Sequence, residues 1–282
     1  MGRCPTGRCF STRCVPRAGR YGAECVRPAA DGKKRERSVG RRGTVRLLTA
    51  NLMNRPLEST SMSVVLVTGA NRGIGLELVR QMLDQGHTVH ATYRTSTGGL
   101  DALACSALHC HRMDVRNPDD VASVFETIAT PLDVLINNAG VADGRWSSLT
   151  EIDFGVVSDV LEINAVAPVR VTQAALPWLV DGGGVVAMIT SLMGSIEDCM
   201  SGRSYAYRAS KTALNMFTTA MKNELQAQGV SVVLIHPGWV ETDMGGPNAP
   251  LQVTESVSGI LARIEEQSLE TTGRFVDYSG QP

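Results

Sequence analysis

No apolar run in this sequence approaches the roughly 18 residues that a membrane-spanning helix needs. The N-terminal region also lacks the apolar stretch, ~7–15 residues long, of a secretory signal. Cysteine is too scattered for a disulfide framework. Cys4, Cys9, Cys14 and Cys25 crowd the N-terminus, while Cys105, Cys110 and Cys199 stand apart, and the total of seven is odd. A reducing compartment follows as the expectation, and with it a cytoplasmic location. Aromatic residues make up only 5% of the chain. A nucleic-acid-binding arm would interleave them with basic residues, yet the basic N-terminal region holds only Phe10 and Tyr21. A zinc site there would need a second cysteine pair, and Cys4, Cys9 and Cys14 have none.

What is present divides sharply. Of 27 Lys+Arg and 28 Asp+Glu, 14 and 4 fall before Met62, leaving 13 and 24 for the remainder. Residues 1–61 show no apolar periodicity and are rich in Arg, Gly, Pro and Ser, including Lys33-Lys34-Arg35-Glu36-Arg37. Such a segment buries too little apolar surface to offset chain entropy and reads as a disordered basic extension. An Arg-rich organellar transit peptide is the competing reading. The favoured expectation is that translation starts at Met62, just before the first strand.

From Ser63 short β-branched runs alternate with longer helical stretches. The predicted strands are Val64–Val67, Thr88–Tyr93, Leu108–Met113, Asp133–Ile136, Val185–Ile189, Val230–Ile235 and Arg274–Tyr278. Between them Ile74/Leu78/Met82 and Leu214/Phe217/Met221/Leu225 recur at helical spacing. Strands apolar on both faces and flanked by helices predict one α/β domain over Met62–Pro282, a doubly wound, Rossmann-type parallel sheet.

Directly after the first strand comes Thr68-Gly69-Ala70-Asn71-Arg72-Gly73-Ile74-Gly75. A glycine-rich turn from strand to helix lets backbone N–H groups approach a pyrophosphate at the positive end of the helix. Glycines also mark ordinary turns, so the placement carries the argument for a dinucleotide. An NAD site usually puts a carboxylate at the end of the second strand, on the ribose 2′-hydroxyl. Here the strand ends Ala91-Thr92-Tyr93-Arg94. Arg94 suits a 2′-phosphate instead, with Arg72 on the other side, which favours NADP(H) over NAD(H). The bland alternative is two solvated arginines.

Tyr207 and Lys211 stand at i and i+4, on one helix face. A free phenol, with a pKa of about 10, is a poor acid or base at neutral pH. A neighbouring ammonium is expected to lower it. A lone Tyr-x₃-Lys pair is common and usually structural, so its company matters. Asp114-Val115 follows the third strand, and Asn137-Asn138-Ala139-Gly140 ends the fourth. Glu162-Ile163-Asn164-Ala165 comes next. Ser191 ends the fifth strand, and His236-Pro237-Gly238-Trp239-Val240-Glu241-Thr242 follows the sixth.

In this order, over nearly all of Ser63–Tyr278, the motifs resemble the short-chain dehydrogenase/reductase family. His236–Gly246 and Gly273–Gly280 look most like the branch of C-factor and the Sniffer-type carbonyl reductases. The resemblance implies a set of roles. Tyr207 would exchange a proton with the substrate oxygen, and Ser191 would hydrogen-bond that oxygen. Lys211 would bind the nicotinamide ribose and tune Tyr207, and Asn164 would hold a water in a proton relay. Gly69, Asn71, Arg72, Gly73, Ile74 and Gly75 would cradle the pyrophosphate. Asp114 and Val115 would line the adenine pocket. Asn138, Ala139 and Gly140 would brace the sheet and touch the adenine ribose, and Pro237, Gly238, Val240 and Thr242 would flank the nicotinamide and its phosphate. The partners implied are a small carbonyl or alcohol substrate, with neither nucleic acid nor membrane, and a second copy in a homodimer or homotetramer. The motive for the oligomer is two long helices, 156–179 and 207–228, with Val169, Ala174 and Leu176 extending an apolar stripe.

Each role has a plainer reading. Ser191 could cap a strand end, Asn164 could bond its own helix and Asp114 could start a turn. His109 and His111 share a strand face without arranged metal partners, so no metal is expected. The Ser191–Tyr207 gap is longer than the family usually shows, and Gly194–Ser204 is expected to form a loop at the active site. The chain stops at Gln281-Pro282, so the C-terminal rim of the pocket is expected to be incomplete. The alternative function is a catalytically silent NADP-binding sensor of the same fold. The intact Tyr207, Lys211, Ser191 and Asn164 rank it second.

Overall fold

A computed structural model describes residues 62–282, apart from Ala129, Gly144, Arg145, Ser147, residues 180–182 and Ser201. The expectations for residues 1–61 lie outside the described residues.

Among the described residues, short runs rich in Val, Ile and Leu form seven strands: β1 Val64–Val67, β2 Thr88–Tyr93, β3 Leu108–Arg112, β4 Val134–Asn137, β5 Val185–Ile189, β6 Ser231–His236 and β7 Arg274–Asp277. They make one sheet, ordered β3-β2-β1-β4-β5-β6-β7, and every pairing is parallel. Among the described residues six α-helices fill the connections: α1 Gly73–Asp84, α2 Pro118–Thr127, α3 Phe154–Leu161, α4 Ala167–Ala175, α5 Tyr205–Ala227 and α6 Val253–Glu265. Alternation along each strand supplies two cores. Val65, Val67 and Val89 face Leu78, Val79, Val257 and Ile260 of α1 and α6. Leu66, Leu135, Val186 and Val232 face Val124, Phe125, Val171 and Leu214 of α2, α4 and α5. The order of strands reverses between β1 and β4, and the crevice at the carboxyl ends of such a sheet is where ligands bind in this fold class.

The predicted strands stand, with one-residue shifts at β3, β4, β6 and β7. The predicted helix 156–179 differs more. It starts at Phe154, and a π-helical turn, Glu162–Val166, separates α3 from α4. A π turn adds a residue to the helical repeat, which rotates the side chains after it. The last turn tightens at Leu176–Trp178. The second long helix starts at Tyr205, two residues early. Ala174 and Leu176 pack on the molecule's own core and supply no free stripe. The exposed large apolar residues of these helices are Phe154, Val166, Met216 and Phe217.

Candidate active site

A cavity of about 730 Å³ runs along the carboxyl ends of β1 to β6. Its wall takes in Gly69 and Asn71–Gly75 after β1, Arg94 after β2, Asp114 and Val115 after β3, and Asn138–Gly140 after β4. Ser191 after β5, Tyr207 and Lys211 of α5, and Pro237, Gly238, Val240 and Thr242 after β6 complete the sequence-predicted set. Of the predicted site residues only Asn164 lies behind the wall.

At one end backbone does the shaping. Gly69 has φ +63° and Gly73 φ +53°, left-handed values that disfavour a side chain. A Cβ on Gly75 would stand 2.3 Å from the Gly69 carbonyl oxygen, and one on Gly69 would stand 2.8 Å from the Ala139 Cα. The Thr68 hydroxyl accepts hydrogen bonds from the Asn138 and Ala139 N–H groups, both at 3.0 Å. The Asn138 amide donates to the carbonyls of Thr68 and Gly69, so the β4 tip braces the turn. Asn71 donates to the Ser96 carbonyl at 3.1 Å, which ties the turn to the loop after β2. The first turn of α1 holds no acidic side chain and no side-chain cap, which leaves its N–H groups for an anion.

The two arginines differ. Arg94 is exposed and makes no hydrogen bond or ion pair among the described residues; Asp114 senses its charge. Arg72 pairs with Asp243, 2.9 Å away and 171 residues along the chain. Asp114 is held by Arg116 at 2.7 Å, and its hydrogen bond and charge keep the carboxyl below the usual range. Asp114 also accepts from the Arg116 N–H, so the turn role and the cavity wall coincide in one residue.

At the other end side chains converge. The Lys211 ammonium lies 5.8 Å from the centre of the Tyr207 ring and donates to the Ile189 carbonyl at 2.8 Å. The Ser191 hydroxyl accepts from the Met193 N–H at 3.1 Å, and it stands close enough to the Tyr207 phenol to favour its ionised form. Asn164, fully buried in the π turn, accepts from the Val141 N–H, donates to the Val141 carbonyl and donates to the Ser210 hydroxyl. Its bonds therefore leave its own helix. Gly140 separates it from Lys211: a Cβ there would stand 3.4 Å from Asn164 Oδ1 and 3.9 Å from Lys211 Nζ.

Charge at this end differs from the sequence expectation. Burial raises the Tyr207 phenol above its ordinary range, outweighing the opposite pull of the neighbouring Ser191 hydroxyl, and Asp143 adds to the rise. Burial also pushes the Lys211 ammonium down to about 8. Desolvation thus dominates both groups. Sequence reasoning missed Asp143 and Asp243, which line the same cavity. No spacing signal marks either, because their partners are 63 to 171 residues distant. His109 and His111 both stack with His90 of β2, and among the described residues no His, Cys, Asp or Glu group is arranged to hold a metal ion.

The sequence profile of the short chain dehydrogenase family matches residues 63–251. This chain belongs to that family. C-signal of Myxococcus xanthus is 49% identical over 151 residues, which span 53% of this chain and 90% of that protein. The carbonyl reductase Sniffer of Drosophila melanogaster superposes with a TM-score of 0.75 at 34% identity, covering 79% of this chain and 99% of that one. An NADPH-bound carbonyl reductase from chicken fatty liver gives 0.73 at 32% identity, with 78% and 98% covered. These relatives fall in the C-factor and Sniffer branch that His236–Gly246 resembles. The family is one of oxidoreductases, and no helix among the described residues is long and apolar enough to cross a membrane.

Proposed function

We propose that this chain is an NADP(H)-dependent carbonyl reductase, interconverting a carbonyl and a secondary alcohol. One observation carries the reading: Ser191, Tyr207 and Lys211 meet on the cavity wall, with the ammonium 5.8 Å from the phenol ring.

The residues fit a dinucleotide, since the glycine turn has a backbone cradle that a Cβ would fill. Gly69–Gly75 would hold the pyrophosphate and Arg94 the 2′-phosphate. Asp114, Val115 and Asn138–Gly140 would hold the adenosine portion, and Lys211, Pro237, Gly238, Val240 and Thr242 the nicotinamide portion. When bound, the nicotinamide supplies or accepts the hydride. Tyr207 gives its phenolic proton to the carbonyl oxygen in reduction and takes it back in oxidation. Burial disfavours the phenolate, so Tyr207 holds its proton at neutral pH. Ser191 donates to the same oxygen as negative charge grows on it. Asn164 and Gly140 frame the back of Lys211, the route by which Tyr207 is reprotonated.

The exposed Phe154, Met216 and Phe217 support pairing with a second copy of the chain. A silent sensor would need no converged Ser191, Tyr207 and Lys211. The test is a screen of small ketones, quinones and keto-lipids with purified protein, following nicotinamide absorbance. Turnover with NADPH exceeding that with NADH is the expected result, and no turnover across the panel would favour the sensor.

A further inference from the structure

The long helix α5 begins without the usual means of doing so. Ser204, at its N-cap position, has φ +59° and ψ +51° and provides no side-chain cap, and the first turn holds no acidic residue. A left-handed serine is strained and persists only where its surroundings fix it. What closes this helix comes from elsewhere. Asp143, buried in the loop after β4, accepts from the Ala206 N–H at 3.0 Å and from the Tyr207 N–H at 3.2 Å. The Tyr207 carbonyl is held too, accepting from the Ser210 hydroxyl at 2.8 Å. Ser210 in turn accepts from Asn164, which is bonded to the Val141 backbone two residues before Asp143. Both polar backbone groups of Tyr207 are thus gripped by side chains, and both grips lead to one loop, Val141–Asp143.

We propose that Asp143 is a positioning residue for Tyr207, its carboxylate closing the N-terminus of α5 and setting where the phenol stands relative to Ser191 and Lys211. The inference rests on the reading of Tyr207 as acid/base. Two contributions separate. The hydrogen bonds fix the helix start, and small displacements of a reacting group are costly in rate. The negative charge offsets the positive end of the helix and opposes ionisation of Tyr207. The other titratable groups lining this part of the cavity are Lys211 of α5, His236 at the end of β6 and the Arg72–Asp243 pair.

The two contributions predict different behaviour for two variants of the full chain. Asp143→Ala removes bonds and charge, and kcat should fall roughly tenfold or more, with KM for NADPH unchanged. Asp143→Asn keeps an acceptor oxygen and loses the charge. It should recover most of kcat, and the midpoint of its pH profile for alcohol oxidation should move to lower pH. A purely structural role would not move that midpoint. Wild-type kcat in Asp143→Ala, no recovery in Asp143→Asn, or an unmoved midpoint would each overturn the proposal. If Asp143→Ala does not fold, the midpoint of Asp143→Asn decides alone. Tyr207→Phe, run alongside, separates the two claims. Turnover in that variant sinks the Tyr207 reading and this inference with it, whereas an inactive Tyr207→Phe beside wild-type-like Asp143 variants sinks only the inference.

Discussion

Around the glycine turn backbone does most of the shaping of the cavity wall. Gly69, Gly73 and Gly75 leave no side chain to contribute, and Thr68 and Asn138 spend their polar atoms on holding main chain in place. Around Tyr207 the wall is functional groups: a buried ammonium, a hydroxyl and a phenol whose charged forms burial disfavours. The first region would meet a ligand common to many enzymes, and a shape suffices. The second would meet the reacting atoms, and it needs groups whose proton affinity is set by their surroundings. The first should therefore break when an atom is added, and the second when an atom is removed.

The largest effect expected from an added atom is at Gly75. Gly75→Val would drive side-chain carbon into the Gly69 carbonyl and the Asn138 amide, where even a Cβ would stand at 2.3 and 2.5 Å. NADPH affinity should fall by more than about a hundredfold, together with a lowered Tm. Near-wild-type affinity by titration would show that the turn is no cradle. A smaller effect belongs to the rim of the same region. Arg94→Ala should raise KM for NADPH about tenfold and leave KM for NADH almost unchanged, as expected for one lost charge-assisted hydrogen bond. Equal weakening of both cofactors would make Arg94 an ordinary surface residue.

At the reacting end a deletion should stabilise. Burial lowers Lys211 from 10.5 to about 8, so between those values the unfolded chain holds a proton that the native state does not. Native stability contributed by this group therefore rises with pH across that window and is at its lowest below about 8. Lys211→Met, though inactive, should raise Tm by a few degrees at neutral pH. Its advantage over wild type should fade by pH 10.5. A lower Tm at pH 7 would mean that the Ile189 hydrogen bond outweighs the desolvation.

The sheet and the glycine turn were legible because their signals are local. β-branched runs such as Val185–Ile189 fill strands buried on both faces, and Gly69–Gly75 follows β1 without interruption. The Tyr207–Lys211 pair was legible because helical spacing alone puts both on one face. The π turn at Glu162–Val166 was not, since no residue type specifies it and tertiary contacts of Asn164 hold it. Nor was Asp143, whose partners lie 63 and 64 residues away. The sign of the Tyr207 shift was missed for a related reason. Sequence spacing shows the ammonium nearby, but it does not show how far each group is withdrawn from water, and desolvation wins.

The most direct measurement on the whole account is Tyr207→Phe, which removes one oxygen from the reacting end and touches nothing at the glycine turn. The dissociation constant for NADPH and the rate of ketone reduction are to be measured on the same preparation. The account predicts binding within about twofold of wild type and turnover lower by roughly 10²–10⁴-fold. Turnover that survives the loss of the phenol would contradict it.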